Sequence, residues 1–136
     1  MASLRKKTES AFKAVIEAAV DVPVYEGFAA TDKAGTCVIV VARRAEEDPP
    51  FSGNYRVQVD IQVKGPPDSD ATFDDLAAAV RNSIWTDALH TELTAAVDDF
   101  FVHHASAPHV LEWSEAGDVW VETSTVEIYA VVALTT

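Results

Sequence analysis

The chain has 136 residues, the length of one ordinary domain, and its 22 acidic and 10 basic residues give a formal charge of −12. All ten basic residues lie at or before Arg81, so residues 1–81 carry −3 (10 basic, 13 acidic) and residues 82–136 carry −9 (9 acidic). This acidity argues against a nucleic-acid-binding protein, because phosphate recognition needs a positive field. No apolar run approaches the roughly 18–20 residues of a membrane span, so no membrane partner is expected. Cys37 is the single cysteine, which excludes an internal disulfide, and its apolar surroundings predict a buried side chain.

An amphipathic helix is predicted over residues 3–20, because apolar residues recur at spacings of three and four. These residues are Leu4, Ala11, Phe12, Val15, Ile16 and Ala19. The other side of the helix is expected to carry the charged residues Arg5, Lys6, Glu9, Lys13 and Glu17. Pro23 ends the helix, since the residue before a proline is pushed out of the helical conformation. A short extended piece at residues 24–25 follows.

Two long strands are predicted next. Residues 36–44 (TCVIVVARR) form a β-branched run between turn signals, which is typical of a central strand. In residues 55–64 (YRVQVDIQVK) apolar and polar residues alternate strictly, so one face lies in the core and the other in water or against a polar partner. The connecting loop carries Phe51 near its tip, where an aromatic ring is either an interface anchor or a local packing residue.

A pair of helices is predicted between residues 72 and 97, the first capped by Thr72 and the second by Thr86. The expected buried residues are Phe73, Leu76, Val80 and Ile84 in the first helix and Leu89, Leu93 and Val97 in the second. The remainder predicts strands at residues 100–105, 110–115 and 119–134. The apolar phase of the last run changes near residues 123–125, which predicts a β-bulge or a break there.

The order of these elements predicts an α+β fold for a single domain spanning residues 1–136. We expect a mostly antiparallel β-sheet of four to five strands. The N-terminal helix and the central helix pair should pack on one face of it.

The best candidate for enzyme chemistry is a group of three histidines and a carboxylate that could hold a divalent metal: His103, His104, His109 and Glu112. Their spacing matches no helical zinc motif, and consecutive residues on a strand face opposite sides. The sequence also lacks a nucleophile elbow and a glycine-rich phosphate cradle. We therefore expect no enzyme, no catalytic or metal-binding residues and no cofactor.

The N-terminal helix is followed by VPVYEG, VIVVARR, YRVQVDIQV and DLAAAVRNSIW, and then by Trp113, Trp120 and VEIYAVVAL. This order of elements resembles the tail-terminator (tail-completion) proteins of long-tailed bacteriophages and related neck proteins. The resemblance implies a structural virion protein of the tail or neck, assembled in the host cytoplasm. Such proteins form a ring, usually of six subunits, that caps the tail tube and joins it to the head connector or head-completion protein. DNA would pass through the ring without specific binding.

A ring of identical subunits needs two different complementary patches on each subunit. The uneven charge suggests a hypothesis for those patches: Arg43, Arg44 and Arg56 face acids of the neighbouring subunit. The acids considered are Glu112, Glu115 and Glu122.

Three alternatives remain open from the sequence. The first is another neck component, either a head-completion protein or a head–tail adaptor. The second is a small metal-dependent enzyme that uses the histidine group. The third is an acidic ligand- or protein-binding domain.

Overall fold

The computed structural model describes residues 4–27, 36–47, 50, 52–65, 70–84, 89, 91–93, 100–106, 112–116 and 119–132. It contains two long helices and six strands in the following order: α1 (Leu4–Ala19), β1 (Val24–Glu26), β2 (Cys37–Glu47), β3 (Asn54–Gly65), α2 (Asp70–Ser83), β4 (Phe100–Ser106), β5 (Glu112–Ala116) and β6 (Val119–Val132). No helix of the described residues is both long and apolar enough to cross a membrane.

All six strands form one mixed sheet in the order β1-β2-β3-β6-β4, with β5 also paired to β6. β1 and β2 run parallel, and the other pairs are antiparallel. β3 occupies one side of β6 along most of its length, so β4 and β5 lie one after the other along its opposite side. The predicted α+β class and N-terminal helix are confirmed, but the described residues form a sheet of six strands, whereas four to five were predicted.

The core lies between the sheet and the two helices, which both pack on the same face. β3 shows the predicted alternation, because Val57, Val59, Ile61 and Val63 are buried while the residues between them are partly exposed. The helix side of the core is supplied by Phe12 and Ile16 of α1 and by Phe73, Ala77 and Val80 of α2. Burying these side chains contributes about 1.5–3 kcal/mol for each large apolar residue.

The central helices agree only in part with the sequence-based prediction. α2 begins at Asp70, so Thr72 lies inside the helix and is not its cap. Residues 89 and 91–93 are helical, and Leu89 and Leu93 belong to the core. Val97 and the bounds of the predicted second helix lie outside the described residues.

The apolar phase change in β6 has a different cause from the one predicted. The register between β3 and β6 is continuous from Asn54↔Val131 to Gly65↔Trp120, so no bulge or break occurs near residues 123–125. Instead, two positions facing the helices are polar, Glu122 and Ser124, and both are buried. The register shifts of the sheet lie elsewhere, between Ala42 and Arg44 in β2 and between Val102 and His104 in β4.

Candidate functional site

The sheet face opposite the helices carries a band of polar side chains, which we call the polar face. It is formed by alternate residues of β3 and β6, which are all partly exposed: Gln58, Asp60, Gln62, Lys64, Thr123, Thr125, Glu127 and Tyr129. On β2 the same face begins with three buried apolar residues, Cys37, Ile39 and Val41, against which Tyr25 packs. Cys37 is 1% exposed, as its apolar surroundings predicted. The polar face is therefore a second, mainly hydrophilic surface of the domain.

Arg43 and Arg44 lie where β2 leaves this apolar part. Arg43 pairs with Asp60 (Nη1–Oδ2, 3.3 Å), and Asp60 also accepts a hydrogen bond from Thr125 (Oγ1–Oδ1, 2.9 Å). Arg44 lies 3.4 Å from Glu46, and both side chains are more than half exposed. Exposed ion pairs of this kind contribute at most about 1 kcal/mol, so a partner surface could exchange them at little cost.

Arg56 occupies the same surface further along β3, opposite Glu46 on one side and Tyr129 on the other. The Tyr129 hydroxyl donates a hydrogen bond to Glu127 (2.9 Å), which raises the pKa of Tyr129, while the charge of Arg56 acts in the opposite direction. The three arginines of the hypothesis thus lie on adjacent strands within one surface region. Phe51 lies outside the described residues.

The acids of the hypothesis do not share one location. Glu112 and Glu115 lie on β5, on the other side of the β3–β6 pair from β2. Three strand spacings separate β5 from β2, which corresponds to about 14 Å. The β2 cations and the β5 acids are therefore on opposite sides of one subunit, too far apart for direct pairing within it.

Glu122 corrects the hypothesis, because it is not a surface residue. Its side chain is 1% exposed and pairs with Arg81 of α2 (Oε1–Nη1, 2.7 Å). The second carboxylate oxygen, Oε2, is buried and has no hydrogen-bond partner among the described residues. Arg81 is the last cation of the chain, so this internal pair neutralises one of the nine C-terminal acids.

Glu9 is a buried charge that the periodicity of α1 assigned to the solvent side. Its side chain is fully buried and forms ion pairs with two cations of its own helix, Lys6 (Nζ–Oε1, 2.9 Å) and Arg5 (Nη1–Oε2, 3.6 Å). The Ala42 amide of β2 donates to Glu9 Oε2 at 2.8 Å, and Arg5 donates to the Ala42 carbonyl at 2.9 Å. The sequence contains one signal for this buried acid, namely cations three and four residues before it. The same spacing is common on solvated helix faces, so it does not by itself predict burial.

The described residues do not bring together the ligands that the alternative of a metal-dependent enzyme needs. Among the described residues, no three or more histidine, cysteine, aspartate or glutamate side chains come together in a group that could hold a metal ion. His103 and His104 lie on β4 at the register shift, Glu112 lies on β5, and His109 lies outside the described residues. The expected absence of a metal or cofactor site stays a prediction.

Comparison of the sequence with protein-family models and with curated proteins gives no match.

Proposed function

We propose that this protein is a structural subunit of a long-tailed bacteriophage, a tail terminator that forms a ring on the tail tube and joins it to the head connector. The proposal rests on the resemblance in the order of elements. One structural observation supports it: the arginines at the outer end of β2 and the acids of β5 lie on opposite sides of the β3–β6 pair. Unlike patches on opposite sides of one subunit favour head-to-tail association, which closes into a ring if the rotation permits.

The internal ion pairs help to define these patches. Glu122 is occupied by Arg81 and Glu9 by Lys6 and Arg5, so these buried acids are not available to a neighbour. Arg43 and Arg44 keep 56% and 64% of their side-chain surface exposed. We therefore place the contact between Arg43 and Arg44 of one subunit and the strand carrying Glu112 and Glu115 of the next.

Charge exchange tests this contact. Arg43→Glu with Arg44→Glu, and separately Glu112→Lys with Glu115→Lys, should each weaken ring formation at low salt by about tenfold or more, because like charges then meet. All four changes together should restore it. Sedimentation velocity in the presence of tail tubes measures the ring. Lys13→Glu, on the exposed side of α1, is a control for a single reversal such as Arg44→Glu and should leave assembly unchanged.

Electron microscopy of particles assembled without the protein tests the role itself. Overlong tails are expected, because the tube would continue to polymerise without a terminator. Tails of normal length detached from leaky heads would instead favour the head-completion or head–tail adaptor alternative. Tails of normal length on intact particles would contradict every neck function.

A further inference from the structure

The edge of β2 that faces away from β3 has different hydrogen-bond partners along its length. β1 pairs with β2 only at Val38, Ile39 and Val40, and the Gly27 amide donates to the Val40 carbonyl at 3.0 Å. The next outward-facing groups, the amide and carbonyl of Ala42, are taken by side chains of α1 instead of a strand. Glu9 and Arg5 thus replace a strand at the position where β1 ends.

Beyond Ala42 the next residues of β2 are exposed. Residues 43–46 are four consecutive exposed residues of a strand. Consecutive strand residues point to opposite faces, so such a run requires both faces to be accessible at that point. Among the described residues, no strand pairs with the outer side of residues 43–47.

The bulge at Arg43 determines which backbone groups point outward. The Val38 amide donates to the Pro23 carbonyl, away from β3, so β3 directs its backbone groups toward β2 at Gln62, opposite Ile39, and at every second residue from there. After the bulge, Arg44 pairs with Gln58 and Glu46 with Arg56, which are two of these positions. Because the direction alternates along a strand, the backbone groups of Ala45 and Glu47 point away from β3. This edge therefore offers an amide and a carbonyl at Ala45.

On the opposite side of the sheet, β5 is a terminal strand among the described residues. β5 pairs with β6 through the full run from Glu112↔Thr123 to Ala116↔Val119, and no strand pairs with its other side among the described residues. β5 carries two acids and no cation, whereas the β2 edge carries Arg43 and Arg44 before Ala45 and two glutamates after it. The cationic part of this edge is therefore the part before Ala45. A bulge and charged side chains normally protect an edge from indiscriminate pairing, but they also select a partner strand of opposite charge.

We propose that the β2 edge at Ala45 is a strand-addition site that receives β5 of a second copy of this chain. The sheet then continues from subunit to subunit, with backbone hydrogen bonds at Ala45 and ion pairs between Arg43 or Arg44 and Glu112 or Glu115. The proposal rests on the ring function above and specifies its subunit contact. It differs from a contact of side chains alone, because it requires a free amide on Ala45.

Two substitutions at Ala45 distinguish strand addition from a contact made by side chains alone. Ala45→Pro removes the outward amide, and proline is tolerated on an edge strand when its amide position faces solvent. Ala45→Thr keeps the amide and suits a strand. We expect Ala45→Pro to abolish assembly on tail tubes while Ala45→Thr assembles like the wild type. Equal melting temperatures of the two monomers establish that the proline variant is folded.

Hydrogen exchange on the wild-type chain gives a second measurement that does not depend on a variant. On assembly, the Ala45 amide should exchange at least tenfold more slowly, whereas the helix-bonded amides of Glu17, Ala18 and Ala19, which are exposed residues in the last turn of α1, should exchange at an unchanged rate. Equal assembly of both Ala45 variants, or an unprotected Ala45 amide in the assembled ring, would overturn strand addition and leave the ring function standing. Failure of the ring function is detected separately, by tail length in the particles that lack the protein.

Discussion

The Glu9 carboxylate of α1 accepts a hydrogen bond of 2.8 Å from the Ala42 amide of β2, 33 residues along the chain. This contact joins the first helix to the strand edge at the point where β1 no longer pairs with it. It also places a fully buried carboxylate against a backbone donor, with Lys6 and Arg5 as partly exposed counterions. The pair Glu9–Ala42 therefore links helix docking, sheet geometry and the beginning of the exposed part of β2.

Replacing Glu9 should be among the most destabilising single changes in α1. Glu9→Ala leaves the buried Ala42 amide without its acceptor and creates a cavity, so we expect a loss of about 3 kcal/mol in the free energy of unfolding. Urea unfolding followed by circular dichroism measures it. Glu17→Ala is the matched control on the same helix, since Glu17 is 55% exposed and pairs with Lys13 at 3.8 Å. It should cost no more than about 0.5 kcal/mol. Equal losses for both variants would contradict a special role of Glu9.

The Lys6–Glu9 contact predicts a dependence of stability on alkaline pH. The hydrogen bond to Glu9 raises the pKa of Lys6 above 10.5. Because the pKa of Lys6 is raised in the folded state, the stabilisation from the Lys6–Glu9 contact is fully present below pH 10.5. It is lost as the pH rises through the pKa of Lys6 in the folded protein. The stability difference between wild type and Lys6→Met should therefore shrink above about pH 10.5. Lys6→Arg, which keeps its charge there, should not show this convergence in urea unfolding at each pH. If the stability difference between the wild type and Lys6→Met grows above this pH, the Lys6–Glu9 contact is not the cause of the pH dependence.

The Arg81–Glu122 pair predicts strong coupling between α2 and β6. Removing one partner leaves the other incompletely paired in a largely buried site, so Arg81→Leu or Glu122→Val alone should cost about 3 kcal/mol. The double variant replaces the pair by apolar groups and should lie within about 1 kcal/mol of the wild type. A double-mutant cycle from chemical unfolding gives the coupling. Additive losses would mean that the 2.7 Å contact contributes no pairwise energy.

Gly65 predicts a steric requirement beside the core. A Cβ atom at this position would lie 2.6 Å from Cδ2 of Phe73, whose side chain is 1% exposed. The ring has little room to move, so Gly65→Ala should cost about 1–3 kcal/mol. In a Phe73→Leu background the same change should cost less, because the smaller side chain leaves space for the methyl group. Thermal unfolding of the four proteins tests this, and an equal cost in both backgrounds would show that the clash with Phe73 is not the cause.

The fold could be predicted from sequence wherever one periodic pattern had one explanation. Strict alternation from Tyr55 to Val63 specifies a strand with one buried face, and the spacing of Phe12, Val15 and Ile16 specifies the buried side of α1. The same logic failed where a buried residue was polar. Periodicity counts a polar residue as exposed, so it places Glu9 in solvent and predicts a bulge or break near residues 123–125, where the buried positions are in fact Glu122 and Ser124.

The candidate site, like the fold, could be predicted from the sequence only in part. The sequence alone determined that all cations precede residue 82, which fixes the charge asymmetry but not where the charges meet in space. Only the tertiary structure placed Arg43 and Arg44 on the opposite side of the β3–β6 pair from Glu112 and Glu115, and paired Arg81 with Glu122 inside the subunit. The physical reason is that pairing depends on strand order and helix docking over tens of residues, whereas the patterns read from a sequence report only the local separation of polar from apolar residues.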